Sequence, residues 1–359
     1  MKAIIPTGGR GTRMRPLTFS SNKHFIPVAN KPLIYYPIET IAKAGITEIG
    51  ITYDPPYFDS VKNLLGDGSR WGVNFTFIAQ EKPLGLPNIF QICEEYINGE
   101  SFVMHLGDNI FTEGIQDFVD YFEKEKPNGL VAMVHHKENR RLGVPYFDEK
   151  GQMVKYVEKP ENPPHDFAIP GLYFFDSNVF KCFSGENKIA PSARGELEIS
   201  SPYQWLIDNG YRVDVLEYKG KWLDPGKFGD WIESNQYILD RMLEPLLESE
   251  PDDTSTIENR VHIGKNCSII NTHIRGPVTI GDNVTLNNAF VGPFTSISDN
   301  CVIEGSDIQN SVVLNNVKIL NVPSSIDSSL IGAESEIGHS EGPTSTIKLF
   351  IGEKCQVHV

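Results

Sequence analysis

About a hundred residues at the C-terminal end carry a period that few folds can satisfy. Ile263-Gly264, Ile280-Gly281, Ile297-Ser298, Leu314-Asn315 and Ile331-Gly332 recur in steps of 17 residues. Within each step the aliphatic residues fall five or six apart: Ile263, Ile269 and Ile274, then Ile280, Leu286 and Val291, then Ile297, Ile303 and Ile308. Gly, Asn, Asp and Ser fill the intervals. A β-sandwich strand alternates at a period of two and leaves no such spacing. A three-sided coil does, because each face points one aliphatic inward and small polar residues turn the corners. The pattern therefore predicts a parallel β-helix. It loosens after Ile337, where 341–344 reads as a loop before Ile351-Gly352.

The earlier part of the chain has a different texture. Strand-like runs at 3–6, 48–53, 75–79, 102–106 and 130–135 alternate with helix-like stretches at 32–45, 86–97 and 115–124. Such alternation predicts a mostly parallel sheet with helices on both faces. Ligands in such sheets sit beyond the carboxyl ends of the strands. From Gly143 a hairpin follows, 144–147 with 153–157, and then a strand-like run over 167–175. A long helix is expected over 227–247, bent near Pro245. The acidic stretch 248–256 reads as a linker, which gives three parts: 1–247, 248–256 and 257–359.

Charge narrows the partners. With 32 Lys and Arg against 47 Asp and Glu, the chain carries a net charge of −15. This excludes broad binding to nucleic acid or to anionic membranes, which needs a basic surface. It leaves open a local cationic pocket for a small phosphate-bearing molecule. The five cysteines (Cys93, Cys182, Cys267, Cys301, Cys355) form no CxxC pair and read as reduced thiols. No apolar run is long enough to span a bilayer. The short apolar start at Lys2–Pro6 is no signal-peptide core, so a cytoplasmic protein is expected.

The first strand runs directly into Thr7-Gly-Gly-Arg-Gly-Thr-Arg13. Glycines let backbone N–H groups approach a polyphosphate closely, and successive amides form an anion nest. No Gly-Lys-Ser/Thr follows, so this is not a Walker loop. Arg13 and Arg15 stand where a dinucleotide-binding helix would pack, so it is not that motif either. Arg13, Arg15 and Lys23 add cations to neutralise phosphate charge.

Gly8-Gly-Arg-Gly-Thr-Arg-Met-Arg-Pro-Leu-Thr18, with Lys23 and Pro27-Val-Ala-Asn-Lys-Pro32, resembles the amino-terminal signature of the sugar-1-phosphate nucleotidylyltransferases. The resemblance continues in family order through 65–72, Pro83-Leu-Gly-Leu86, Leu106-Gly-Asp-Asn109, Val157-Glu-Lys-Pro160, 194–199 and Trp222-Leu-Asp224. The long form of the family, with a left-handed β-helical tail, is the most similar. The chain departs from the usual motifs at His24, Leu142 and Pro170.

The resemblance implies a Rossmann-like nucleotidyltransferase domain followed by that β-helix. It also implies transfer of a nucleotidyl group from dTTP to glucose 1-phosphate by in-line attack, with Mg²⁺ as cofactor. Gly8, Gly9, Gly11 and Thr12 would hold the triphosphate, with Arg13 and Lys23 on its phosphates. Gln80 and Gly85 would read the base edge, since Gln offers both a donor and an acceptor. Gly143, Glu158 and Gly171 would meet the sugar, and Lys159 and Arg194 its phosphate. Asp108 and Asp224 would be the metal ligands, suited as hard oxygen donors. Arg13, Lys23, Asp108 and Lys159 are the catalytic set.

Three rivals accompany this reading. One is a UTP-using enzyme acting on glucose or N-acetylglucosamine phosphate. Another is a weakly active regulatory paralogue. The third has an acyltransferase site in the tail, which would need a base such as His262, His273, His339 or His358. No His–Asn–Lys cluster is evident there, so the tail is expected to build a homo-oligomer, a trimer or tetramer.

Overall fold

The computed structural model describes residues 1–9, 11–19, 21–192 and 195–338. The chain forms two compact units, and it crosses between them more than once. The first unit holds Met1–Gly9 and Ile34–Leu223, and the second holds Arg10–Leu33 with the chain from Asp224 onward. This division differs from a boundary placed at 247, because the signature segment after Gly9 groups with the C-terminal unit.

The first unit is built on an eight-stranded sheet. Lys2–Pro6 lies at its centre, parallel to Glu48–Tyr53 on one side and to Phe102–His105 on the other. Asn74–Ala79 extends the parallel set beyond Glu48–Tyr53. Beyond Phe102–His105 come Leu172–Phe175, antiparallel, and Gly129–His135. Gly129–His135 also pairs with Phe167–Ala168 and, in parallel, with Val213–Glu217. The central strands are continuous apolar runs because helices cover both faces. Phe90, Phe102, Phe175 and Tyr203 form the aromatic centre of the core, with Phe175 and Tyr203 stacked at 4.3 Å between centroids.

Several elements differ from the sequence expectation. The helix sought over 32–45 is Tyr35–Lys43, because Lys31–Pro32 instead pairs with Pro27–Val28 in a small hairpin. The 86–97 helix breaks at Cys93 into Leu86–Ile92 and Glu94–Ile97. The 167–175 run is two strands, interrupted at Ile169–Gly171, where proline lacks the N–H a ladder needs. Two helices, Phe58–Leu65 and Ser200–Asp208, carry few buried apolar positions and gave no clear periodic signal.

The second unit contains a left-handed parallel β-helix of three sheets, with six, five and five strands. The helix Phe228–Met242 stops before Pro245, and Leu246–Leu247 is already a strand, paired in parallel with Val261–Ile263. The residues read as a linker are the first coil: Glu248 N–H donates to Ile263 O and Thr256 N–H to Thr272 O, both at 2.9 Å. Inward aliphatics such as Ile263, Ile280, Ile297, Ile303 and Ile308 are fully buried. Corners are turned by asparagines in the left-handed region, among them Asn266, Asn283 and Asn300, whose side-chain amides hydrogen-bond from coil to coil.

The 17-residue step hides a slip. Ile263 pairs with Ile280 and Ile280 with Ile297, but the partner of Ile297 is Val313, not Leu314. Val313 then pairs with Ile331, so a coil of 16 residues is followed by one of 18. Two such errors cancel in the sequence period. The extra residues sit in the corner around Val322–Ser325, between Lys318–Leu320 and Ile326–Asp327.

Candidate active site

Strand order reverses at Lys2–Pro6: the chain winds outward through Glu48–Tyr53 and Asn74–Ala79, then returns to the other side with Phe102–His105. The crevice at the carboxyl ends of such a switch point is where open α/β sheets bind ligands. Thr7-Gly8-Gly9 leaves the sheet here, and Leu106-Gly107-Asp108 leaves the neighbouring strand. Thr7 is buried and tied to Thr52, its N–H and hydroxyl both donating to Thr52 O. The first amides of the glycine run therefore start from a fixed point.

Gln80 sits at the end of Asn74–Ala79, its N–H donating to Tyr53 O at 2.8 Å. Its side-chain oxygen lies so close to Gly8 that a Cβ there would collide with it. Gly85 is held at φ +103 with its Cα against the backbone of Leu197, where any side chain would clash. Gly8 and Gln80 are thus brought together, and Gly85 is a close backbone approach.

Asp108 takes its orientation from its neighbour. Asn109 Nδ2 donates to Asp108 Oδ1 at 2.9 Å, while Asn109 Oδ1 accepts from Gly171 N–H at 3.1 Å and from Trp222 Nε1 at 2.8 Å. Leu106 N–H donates to Gly171 O at 2.9 Å. Asn109 is buried, and a Cβ on Gly171 would strike it. One side chain therefore joins the Asp108 loop, the Gly171 loop and Trp222, although it was singled out only as part of the Leu-Gly-Asp-Asn run. Burial holds the His105 imidazole, just before this loop, down to about 4, and its Nδ1 lies 2.9 Å from Leu106 O.

Gly143 pairs across the hairpin with Glu158, and its carbonyl accepts from Ile169 N–H at 2.8 Å. A Cβ on Gly143 would meet the ring of buried Tyr156. Lys159 is exposed and adopts φ 49, a left-handed conformation rare for a lysine, with its N–H donating to Leu142 O. Such strain in a binding motif turns the side chain away from the strand direction. Gly143, Glu158 and Lys159 thus sit together, and Ile169 links them to the Gly171 loop. Arg194 lies outside the described residues.

In the second unit, Gly11 is left-handed at φ 51 and opens the single turn Thr12–Met14. A Cβ there would lie 2.9 Å from Thr18 Cγ2 and 3.2 Å from Lys23 Cβ. Thr18 Oγ1 donates to Gly11 O at 2.8 Å. Lys23 is buried, and its Nζ stands 4.0 Å from Asp224 Oδ1. Arg13 is exposed, with its guanidinium beside Gly226. His24, which departs from the family motif, is also buried: its Nδ1 lies 2.6 Å from the Asn22 carboxamide oxygen, which also accepts from the His24 N–H. Gly11, Lys23 and Asp224 are brought together. A cavity of about 400 Å³ in this unit, walled by Leu17, Phe25, Ile26 and Leu314 among others, includes none of the predicted residues and no charged group to meet a phosphate.

Among the described residues no three His, Cys, Asp or Glu converge as a metal cage. Magnesium does not require one: it is usually held by one or two carboxylates, with waters and phosphates completing its shell. A carboxylate such as Asp108, oriented by a side-chain amide, fits that donor set. No described helix is long and apolar enough to cross a membrane. Cys93, Cys182, Cys267 and Cys301 are free thiols. His339, His358 and Cys355 lie outside the described residues.

A switch-point crevice opened by a glycine run, with an oriented carboxylate on the adjacent strand end, is a nucleotide site in its construction. The family profile described as nucleotidyl transferase matches residues 2–241, and the chain belongs to that family. Within it, the chain falls with the long-form members that carry a C-terminal β-helix. Glucose-1-phosphate thymidylyltransferase of Streptomyces antibioticus is 36% identical over 100% of this chain and 99% of its own length. A low-salt glycan biosynthesis nucleotidyltransferase of Haloferax volcanii is 36% identical over 99% of both chains. A crystal structure from Bacillus anthracis, assigned as a glucose-1-phosphate thymidylyltransferase and complexed with sucrose, has a TM-score of 0.62 at 33% identity. It covers 68% of this chain and 96% of its own.

Proposed function

We propose that this nucleotidyltransferase joins the nucleotidyl group of dTTP to glucose 1-phosphate, giving dTDP-glucose and pyrophosphate. A sugar-phosphate oxygen attacks the α-phosphorus in line, and the bond from the α-phosphorus to the bridging oxygen breaks as pyrophosphate leaves. Because two anions must meet, positioning and charge neutralisation supply most of the acceleration. The observation that carries this reading is the switch-point exit Thr7-Gly8-Gly9, with Gln80 packed directly on Gly8. Full-length relatives named as thymidylyltransferases support the choice of substrates.

In this reading the amides of Gly8, Gly9, Gly11 and Thr12 cradle the triphosphate, and Arg13 and Lys23 draw off the pyrophosphate charge. Gln80 and Gly85 contact the base. Gly143, Glu158 and Gly171 hold the sugar, while Lys159 and Arg194 hold its phosphate. Asp108 and Asp224 would be the protein ligands of Mg²⁺, which when bound neutralises phosphate charge and polarises the α-phosphoryl group. Until substrate arrives, the ammonium of Lys23 offsets the charge of Asp224. The β-helix is read as the surface through which a homo-oligomer forms.

Pyrophosphate release, measured for dTTP and UTP against glucose 1-phosphate and N-acetylglucosamine 1-phosphate, tests the proposal. The dTTP and glucose 1-phosphate pair is expected to give the highest kcat/KM. A preference for UTP would replace the base assignment, and no turnover with any pair despite triphosphate binding would overturn the enzyme reading.

A further inference from the structure

The segment with Arg13 and Lys23 is fastened to the β-helix by a small set of buried polar bonds. Its hairpin, Pro27–Val28 against Lys31–Pro32, turns through Ala29 and Asn30, both left-handed at φ 49 and φ 60. Such a pair of left-handed residues forms the tight turn that matches strand twist, but alanine adopts it reluctantly. Ala29 is held there by its N–H, which donates to Asn235 Oδ1 at 2.9 Å. Asn235 is buried and accepts a second bond on that oxygen, from Ser296 Oγ at 2.7 Å. Its Nδ2 donates to Phe294 O at 3.1 Å. Asn30 reaches the same coil, donating from Nδ2 to Ile297 O at 2.7 Å and accepting from Ser298 Oγ at 3.2 Å.

Rigid backbone bonds continue from the hairpin to the cations. Leu33 N–H donates to Ile26 O, Ile26 N–H to Lys23 O and Phe25 N–H to Asn22 O. Lys23 in turn packs on Gly11, which opens the turn holding Arg13. A displacement of the hairpin from the coil would therefore move Lys23.

We propose that Asn30 and Asn235 are positioning residues through which the coil at Thr295–Ser298 sets Lys23 for the triphosphate, so that the β-helix is part of the nucleotide-binding machinery. This rests on the reading of Lys23 as a triphosphate cation. Because the bonds are far from the sugar-binding residues of the first unit, loosening them raises the KM for the triphosphate and spares that for the sugar phosphate.

Asn30→Gly is the informative variant, since glycine accepts φ 60 and deletes both bonds from the Asn30 side chain to the coil. Ser298→Ala removes one of those bonds, and Asn30→Asp retains the acceptor for Ser298. With dTTP, Mg²⁺ and glucose 1-phosphate as probes, Asn30→Gly is expected to raise the KM for dTTP about tenfold. The KM for glucose 1-phosphate should change less than about twofold, and Asn30→Asp and Ser298→Ala should lie between wild type and Asn30→Gly. Direct dTTP binding to the full chain, with Lys23→Ala alongside, separates the outcomes. If Lys23→Ala weakens dTTP binding while Asn30→Gly and Ser298→Ala leave it unchanged, the platform proposal is overturned. A loss of active enzyme and of melting temperature with both KM values unchanged overturns it equally. If Lys23→Ala itself leaves dTTP affinity unchanged, the assignment of Lys23 fails instead, and with it the basis of this inference.

Discussion

Asp108 stands just past the end of a buried strand and takes its orientation from Asn109, its immediate neighbour in the chain. Lys23 is placed differently, since the hairpin beside it is held by Asn30 against a carbonyl 267 residues away in sequence. The first unit thus sets its polar groups where strands end, by short connections and by glycines that bring backbone close to side chains. The second sets them by docking one segment on a regular coil. Damage to the first kind of site should be local, and damage to the second should come from distant positions. Each expectation can be broken separately.

The largest effect is expected at Asp108. Asp108→Asn should lower metal-dependent turnover by about 10³-fold or more, equivalent to about 4 kcal/mol at the transition state, with an unchanged melting profile. Retained pyrophosphate release would remove Asp108 from the metal site. Next, Ile303→Ala empties a fully buried position of the β-helix and should cost about 3 kcal/mol of stability. Urea unfolding followed by far-ultraviolet circular dichroism measures this loss, and if the contrast holds it falls on the second unit.

His105 adds a pH signature to the first unit. Its folded value of about 4 lies below the ordinary 6.5, so between these values the unfolded chain takes up a proton that the folded one refuses. The neutral buried form is fully favoured above pH 6.5, and stability declines as pH falls through the window, by up to about 3 kcal/mol at pH 4. His105→Gln should flatten that decline, read as the urea midpoint against pH; an unchanged slope would assign the decline to other groups. The smallest effect is expected for Asn109→Ala, which leaves Asp108 in place but frees its carboxylate. The Mg²⁺ concentration for half-maximal activity should rise about tenfold. An unchanged metal requirement would show that the Asn109 bond does not orient the ligand.

Much of this molecule was legible from sequence because the informative patterns are short or periodic. Buried parallel strands are apolar runs, and the glycine exit after Pro6 is contiguous. The inward residues of the first three coils are spaced by the geometry of one turn. Less legible were features made by partners far apart. Ser296 and Ser298, which meet Asn235 and Asn30, are the same small polar residues that turn corners elsewhere in the coil. Nothing in their spacing marks them as a docking surface. Asn109 was visible within a motif, but its three bonds depend on Gly171 and Trp222, brought near only by the sheet. Residues 248–256 misled for another reason: acidic, proline-containing composition suits both a free connector and the outer surface of a first coil.

The register slip also divides the β-helix into parts that are not interchangeable. Up to Ile297 each turn is the same length, so any of these turns could be duplicated or removed and the residues above would remain in phase. From Ile297 to Ile331 the shorter and longer turns work only as a couple. Deleting one of them alone would rotate every later aliphatic out of the interior, whereas deleting both would leave the stack continuous. The unit of insertion and loss in that stretch is therefore a pair of turns.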